Sequence, residues 1–443
     1  MLKFTYMSQP IKYYIKELLH IALPIIIGNL GFILIGAGDV FIAGRHSTDT
    51  LAAISIATAI TNCIQTFGIG LIASVSPLLS NYRGEKKVAK KYFFPTLRFA
   101  FVMAFLVMLA VLGVIPIIDK LHFEPHLVPM IKQYIFITAF ATFGGYLHAA
   151  LKEFLQAFEI VLFPNILTFA CVFLNIFLNI ILVFGFGPIP SLGVVGLAIA
   201  SFIVRYFMGI VLLIYCIKIM RFSNYKDFSY YIQMVKIGFP ISAAILVEFV
   251  AFNLISVIMG RISGVYAAAH TLVCTLTTIS FMVPFAISNA IAVKVGFSNG
   301  AQNFTDLRRF AKIGTFICIG FMACSAIIFA SIPKVLVGLF SNDINLITIC
   351  VPIVYILAVF QIFDGLQIAL AGICKGIKKT NIVLGANFVA YWLISIPLGY
   401  TLGIKMHLGI IGFWMGLVAS AITLCIIMLC LLGRFFKALP KNI

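Results

Sequence analysis

Twelve apolar runs, each of 23 to 29 residues and separated by short polar breaks, constrain this chain more than any other feature in it. They cover about 19–43, 51–79, 94–118, 128–150, 162–186, 193–217, 234–260, 267–293, 310–333, 346–372, 382–404 and 409–432. Roughly 20 apolar residues cross the hydrocarbon core of a bilayer as a helix, so every run is long enough to span it. Composition agrees: 63% of residues are hydrophobic and 10% charged, against about 45–50% and about 25% in ordinary soluble domains. A soluble enzyme of this length could not hide so much Phe, Ile and Leu, and a disordered chain would not carry them. The chain reads as an all-α polytopic membrane protein, one bundle without a large soluble domain.

Net charge is +18, from 31 Lys and Arg against 13 Asp and Glu. The bases stand in short strips between the apolar runs. That is the pattern of topology against an anionic leaflet and not of nucleic-acid binding. Twenty-three of them fall on the side that holds both termini, including the strip Arg83, Lys86, Lys87, Lys90 and Lys91. The other side holds five: Arg45, Lys120, Arg261, Lys334 and Lys405. This bias predicts an even number of spans with both termini cytoplasmic, in a bacterial-type inner membrane. Arg98, Lys132 and Arg205 remain inside or at the edge of spans. The ten cysteines are scattered, with no CxxC pair and no Cys/His spacing that suits zinc, and read as small apolar residues. The first run has no small-residue cleavage motif and reads as an uncleaved span rather than a signal peptide.

The two halves align without a gap at an offset of 216 residues. Pro24 matches Pro240, Gly44-Arg45 matches Gly260-Arg261, and Gly84 matches Gly300. Gly187, Gly193 and Gly196 match Gly403, Gly409 and Gly412. Shared hydrophobicity does not explain a register carried by Gly, Pro and Arg. Six spans per repeat give both halves the same orientation. The expected fold is two parallel six-helix lobes related by a pseudo-twofold along the membrane normal, around a shared cavity. The expected division is 1–217, a cytoplasmic linker at 218–233, and 234–443.

Of the thirteen acids, Asp39, Glu248 and Asp364 alone fall well inside spans. An ionised acid there costs about 2.5–3.5 kcal/mol even on the lenient insertion scale, so it normally faces the bundle interior and has a function. Gln361 and Gln367 flank Asp364 by one turn on the same helical face. Such an oxygen-rich stripe suits a hard cation such as Na⁺. The same carboxyls, held away from water, can instead take up and release protons. Asn179 and Ser201 are expected neighbours of Asp39, and Arg205 is expected to neutralise it as a structural pair. Pro24 and Pro240 open the first span of each half, as kinks or hinges. His270 reads as a helix-end packing residue.

These residues resemble the MATE (multidrug and toxic compound extrusion) family, particularly its NorM-like branch, over residues 17–432. The stretch GDVFIAGRHSTDTLAAISIA, from Gly38 to Ala57, is similar to the family's junction of first and second spans. PISAAILVEF (Pro240 to Phe249), AAAH (Ala267 to His270), Pro284 and VKVG (Val293 to Gly296) follow in the family's order. FQIFDGLQIALAGICKG, from Phe360 to Gly376, looks like its tenth-span motif. The resemblance implies an antiporter that exports cationic or amphipathic compounds in exchange for Na⁺ or H⁺, with no cofactor, acting as a monomer. It implies a cation site at Glu248 and Asp364, with Na⁺ as the candidate metal ion. It also implies a polar cluster of Asp39, Asn179 and Ser201 in the first lobe. Where some relatives carry a second acid one turn beyond the Asn, this chain has Val183, and the typical Arg near the end of the tenth-span motif is Lys375.

A flippase for lipids or lipid-linked saccharides, from the same superfamily, is the alternative. Its anionic cargo would want a basic cavity, whereas the deep groups here are three acids against Arg205. A membrane prenyl transferase would need clustered Asp to hold Mg²⁺ and pyrophosphate. No DxxxD, DDxxD or HExxH pattern occurs, and the chain reads as a non-enzyme. A channel is disfavoured by the two-lobe repeat and the lack of a pore-loop signature.

Overall fold

The computed structural model describes residues 9–188, 190–220 and 225–440. Lys3, Arg221 and Lys441, and residues 221–224 of the expected linker, lie outside the described residues. The described chain is helical, without a strand ladder: α1 (Ile11–His46), α2 (Thr48–Ile72), α3 (Val75–Gly84), α4 (Phe93–Ile118), α5 (Leu127–Ala157), α6 (Leu162–Phe184), α7 (Val194–Ile219), α8 (Phe228–Ile262), α9 (Gly264–Gly300), α10 (Phe304–Ser331), α11 (Pro333–Gly338), α12 (Ile344–Gly376), α13 (Thr380–Asn387), α14 (Ile396–Tyr400) and α15 (Gly409–Ala438). Twelve segments are long and apolar enough to cross a membrane, as expected, with α2 and α3 forming the second. Helices outrun the apolar windows. The first spans 36 residues against 25 in its apolar run, because a helix does not stop where lipid does. Phe101 and Phe173 sit well inside their helices and are more than 60% exposed, as residues solvated by acyl chains are.

The repeat is visible in local chemistry. Ser47 caps α2 by accepting the Thr50 N–H at 3.0 Å, and its counterpart Ser263 caps α9 by accepting from Val265 at 3.3 Å. Gly193 and Gly409 both take left-handed φ, +51° and +55°, ahead of α7 and α15. A Cβ on Gly196 would lie 2.5 Å from the Leu182 carbonyl oxygen, and one on Gly412 would lie 2.4 Å from the Gly403 nitrogen. Each repeat thus lets its last span approach the preceding one backbone to backbone.

The eleventh span is irregular. It runs as α13, a π-helix at Phe388–Ser395, then α14, then a second π-turn at Thr401–Lys405. Pro397 gives the reason. It has no N–H, and its ring would crowd the carbonyl four residues earlier in an α-helix. The ladder is widened ahead of it, with the Ile396 N–H bonded to the Tyr391 carbonyl five residues back. Such π-segments often occur at functional sites.

Packing divides the chain into two units, and not at 218–233. An N-terminal unit holds residues 23–79 and 87–242, and a C-terminal unit holds residues up to Ala22, Ser80–Lys86 and those from Ala243 onward. In the C-terminal unit, Tyr14 of α1 donates to Asp306 at 2.6 Å and Lys294 pairs with Glu17. Asn81 of α3 donates to the Gly376 carbonyl at 2.8 Å. In the N-terminal unit, the start of α8 does the converse. The Tyr230 hydroxyl lies 2.7 Å from Thr96 Oγ1, and a Cβ on Gly238 would lie 2.7 Å from the Leu71 carbonyl oxygen. Hydropathy places a span in the bilayer but does not say which helices its protruding end packs against.

Candidate functional site

In the C-terminal unit, α8 and α12 bring Glu248 and Asp364 within electrostatic reach of each other. The eleventh span supplies the donors. Tyr391 Oη donates to Glu248 Oε1 at 3.0 Å, and Asn387 Nδ2 reaches Glu248 Oε2 at 3.5 Å. Trp392 Nε1 donates to the Val247 carbonyl at 3.2 Å, which fixes the two helices in register. Asp364 is 3% exposed, and its Oδ1 accepts from Gln367 Nε2 at 2.9 Å. Gln361 is fully buried, but its amide reaches no partner among the described residues. Of the two flanking glutamines, then, Gln367 alone bonds Asp364. Neither Glu248 nor Asp364 has a Lys, Arg or His partner among the described residues.

The donor set is oxygen alone: two carboxyls, the Tyr391 hydroxyl, and two buried amide oxygens without partners, Asn387 Oδ1 and Gln361 Oε1. Buried acceptors seek donors or a cation. A small hard cation matches oxygens of this kind, and a proton is the other charge the carboxyls can accept.

In the N-terminal unit, Asp39 stands in the C-terminal part of α1. Its Oδ1 accepts from Asn179 Nδ2 at 2.6 Å and Asn175 Nδ2 at 3.2 Å, and its Oδ2 accepts from Ser201 Oγ at 3.2 Å. Arg205 lies within electrostatic reach of it but makes no direct ion pair, contrary to expectation. Its Nη1 donates instead to Gln65 Oε1 at 3.3 Å. The Asp39 oxygens are satisfied by three neutral donors, so no ion pair is needed. Val183 is fully buried and brings no second acid.

Pro24 and Pro240 lie inside unbroken α1 and α8, within two residues of the points where the chain passes from one unit to the other. His270 is buried in the second turn of α9, its ring 5.7 Å from Trp414. Sequence reading missed Asn175, Asn387 and Tyr391. Asn175 lies one turn before Asn179 on the same face and was findable. Of the other two, Asn387 ends α13 and Tyr391 lies one turn on, inside the π-segment.

A family model, MatE, matches residues 24–181 and 240–401. The chain is 28% identical over 418 residues, 92% of each chain, to a probable multidrug resistance protein NorM of Bacillus subtilis (strain 168). It is 27% identical, over 96% of this chain and 94% of the relative, to a probable multidrug resistance protein NorM of Mesorhizobium japonicum. Among solved structures, a MATE transporter of Vibrio cholerae superposes with a TM-score of 0.90 at 18% identity, covering 98% of both chains. A eukaryotic MATE transporter superposes with a TM-score of 0.85 at 20% identity, covering 96% of both.

Proposed function

The chain belongs to the MatE family, and from that premise we propose that it is a secondary active antiporter that expels cationic or amphipathic organic compounds in exchange for Na⁺ or H⁺. The observation that carries the coupling reading is the Glu248–Asp364 pair, two acids inside spans without a basic partner among the described residues. Ions entering from outside settle on these carboxyls and cancel their charge. A positively charged compound then loses its electrostatic partner and leaves. The two facings of the transporter interconvert because each ligand binds one of them better than the other. A single charge falling through 100 mV supplies about 2.3 kcal/mol, enough to drive such a cycle uphill. Asp39 forms a second polar site, where its carboxylate accepts three hydrogen bonds from neutral donors, and coupling is assigned to the acid pair of the C-terminal unit. The protein works as a monomer in an inner membrane of bacterial type, with both termini in the cytoplasm.

The test uses purified protein in liposomes, with Na⁺ and pH gradients imposed separately and a cationic dye as cargo. Asp364→Asn retains folded protein in the membrane and loses gradient-driven efflux. Full ion-driven transport by that variant would overturn the assignment.

A further inference from the structure

The connection between α3 and α4 breaks the repeat in charge. Lys90 and Lys91 sit there on a short 3-10 turn, Ala89–Tyr92, just ahead of the apolar run that begins at residue 94. Their counterparts at the offset of 216 are Asp306 and Leu307. The bases next to those counterparts are held by the chain itself. Arg308 donates to the Phe436 and Leu439 carbonyls at 3.0 and 3.2 Å, and Arg309 to the Gln9 carbonyl at 2.7 Å. Lys90 and Lys91 are exposed, and neither makes a hydrogen bond or an ion pair among the described residues.

Aromatic rings shape the ground around them. Lys91 Nζ lies 5.6 Å from the centre of the Tyr225 ring, which orders the lysine stem and leaves its three N–H donors available. Tyr225 meets Tyr92 edge to face at 5.5 Å, and Tyr92 lies 4.6 Å from Tyr230. These contacts bring Lys226 to the same corner of the N-terminal unit as Lys91. Lys226 is also exposed and has no hydrogen bond or ion pair among the described residues. The acid next in the chain, Asp227, is turned to the protein. Its Oδ2 accepts from the Tyr92 hydroxyl at 3.1 Å and its Oδ1 from the Ser229 N–H at 3.0 Å. Phe228 then opens α8 and is 77% exposed, and Phe94 is exposed at the start of α4.

Leaflet bias alone accounts for bases at the end of a span. It does not account for three lysines without ion pairs gathered at one repeat, beside tyrosine rings and with exposed phenylalanines at the apolar edge. Ammonium groups hold phosphate oxygens by charge and hydrogen bonds, and aromatic side chains at this depth are apolar on the lipid side. We propose that Lys90, Lys91 and Lys226 form a docking site for the phosphate of an anionic phospholipid, whose acyl chains pass over Phe94 and Phe228. Charge and depth name the occupant, because bases just outside an apolar run stand where lipid headgroups lie. The bound lipid joins the α3–α4 connection to the start of α8 and fastens the chain between the repeats to the membrane surface. The inference goes beyond the transport cycle and does not depend on it.

The test is lipid retention by the purified protein, read by native mass spectrometry. The micelles carry equal parts of phosphatidylglycerol, which is anionic, and phosphatidylcholine, which has no net charge. The wild type retains phosphatidylglycerol over phosphatidylcholine by about fivefold or more, the order of attraction that a lysine at a headgroup supplies. Lys90→Gln/Lys91→Gln/Lys226→Gln lowers that preference to about twofold or less. Lys312→Gln/Arg434→Gln/Lys437→Gln removes the same charge from exposed positions of the C-terminal unit and keeps the wild-type ratio. All six positions are exposed, and unfolding midpoints in phosphatidylcholine alone, within a few degrees of the wild type, verify that both variants fold. No preference in the wild type, or an unchanged ratio in the first variant, overturns the proposal. An equal fall in both variants also overturns it, in favour of diffuse attraction to the leaflet. Dye efflux has no bearing on this ratio, so failure of the transport reading and failure of the lipid site are separate results.

Discussion

Tyr391 donates its hydroxyl to Glu248 at 3.0 Å from the same repeat position at which Asn175 donates to Asp39 at 3.2 Å. The offset of 216 residues makes Tyr391 and Asn175 counterparts. Their acids are not counterparts: the partner of Glu248 is Phe32 and that of Asp39 is Ile255. Seven residues separate Phe32 from Asp39, about 10 Å along a helix. Both repeats therefore use the fifth helix of their half to satisfy an acid, but hold the acid at different depths. The one nearer its helix end accepts three hydrogen bonds from neutral donors, and the other lies within reach of Asp364.

Removing the Tyr391 donor should be felt at the deeper site. A hydrogen bond to a charged group is worth about 1.5–3 kcal/mol, and about 1.4 kcal/mol is a factor of ten. Tyr391→Phe lowers ion-driven efflux about tenfold or more, while Asp39→Asn lowers it only a few-fold. Initial rates of dye export from liposomes, at matched protein content, check the ranking. Equal losses in both variants would remove the distinction between the two sites.

Pro397 sets the π-register that aims Tyr391. Pro397→Ala restores the missing N–H and lets Phe388–Ser395 wind as an ordinary α-helix, rotating Tyr391 away from Glu248. The variant keeps its midpoint of thermal unfolding within a few degrees and exports at a rate about tenfold lower, as Tyr391→Phe does. Combining the two changes adds little, because each removes the same contact.

The pair of Glu17 and Lys294, the latter 8% exposed, joins α1 to α9 in the C-terminal unit. Glu17 is 29% exposed, so the pair is part-buried, and removing one of its charges costs more than removing both. Glu17→Gln therefore lowers the unfolding midpoint more than the double variant Glu17→Gln/Lys294→Met. Thermal unfolding in detergent measures both.

Gly300 tests the backbone contact between α9 and α3. A Cβ there would lie 2.0 Å from the Asn81 carbonyl oxygen, while one on Gly433 meets nothing within 4 Å. Gly300→Ala destabilises by about 1–3 kcal/mol through overpacking. Gly433→Ala is neutral or gains up to about 1 kcal/mol in helix propensity. The two unfolding midpoints, measured side by side, should move in opposite directions or differ by several degrees.

Span number and the buried acids were legible because burial in lipid is written into composition run by run, and a charge within such a run stands out. The glycines ahead of α7 and α15 were legible through the repeat, whereas the caps at Ser47 and Ser263, at the same offset, emerged only in the structure. The π-segments were not. One proline shifts the ladder locally without changing hydropathy, and neutral donors such as Asn387 and Tyr391 carry no charge to mark the face turned to Glu248. The direct ion pair of Arg205 with Asp39 failed for a related reason. Two amides and a hydroxyl satisfied the acid first, and neutral donors give no signal in a charge count.

The exchanged ends of the helices make the halves inseparable as genes. Residues 9–22 and 80–86 are translated with the first half but complete the C-terminal unit, and residues up to 242 of the second half complete the N-terminal one. A cut anywhere in the connection between the repeats yields two fragments that are each short of parts held by the other. An ancestor with a single set of six spans would have met the same shortage, and would have had to borrow those parts from a second copy of itself.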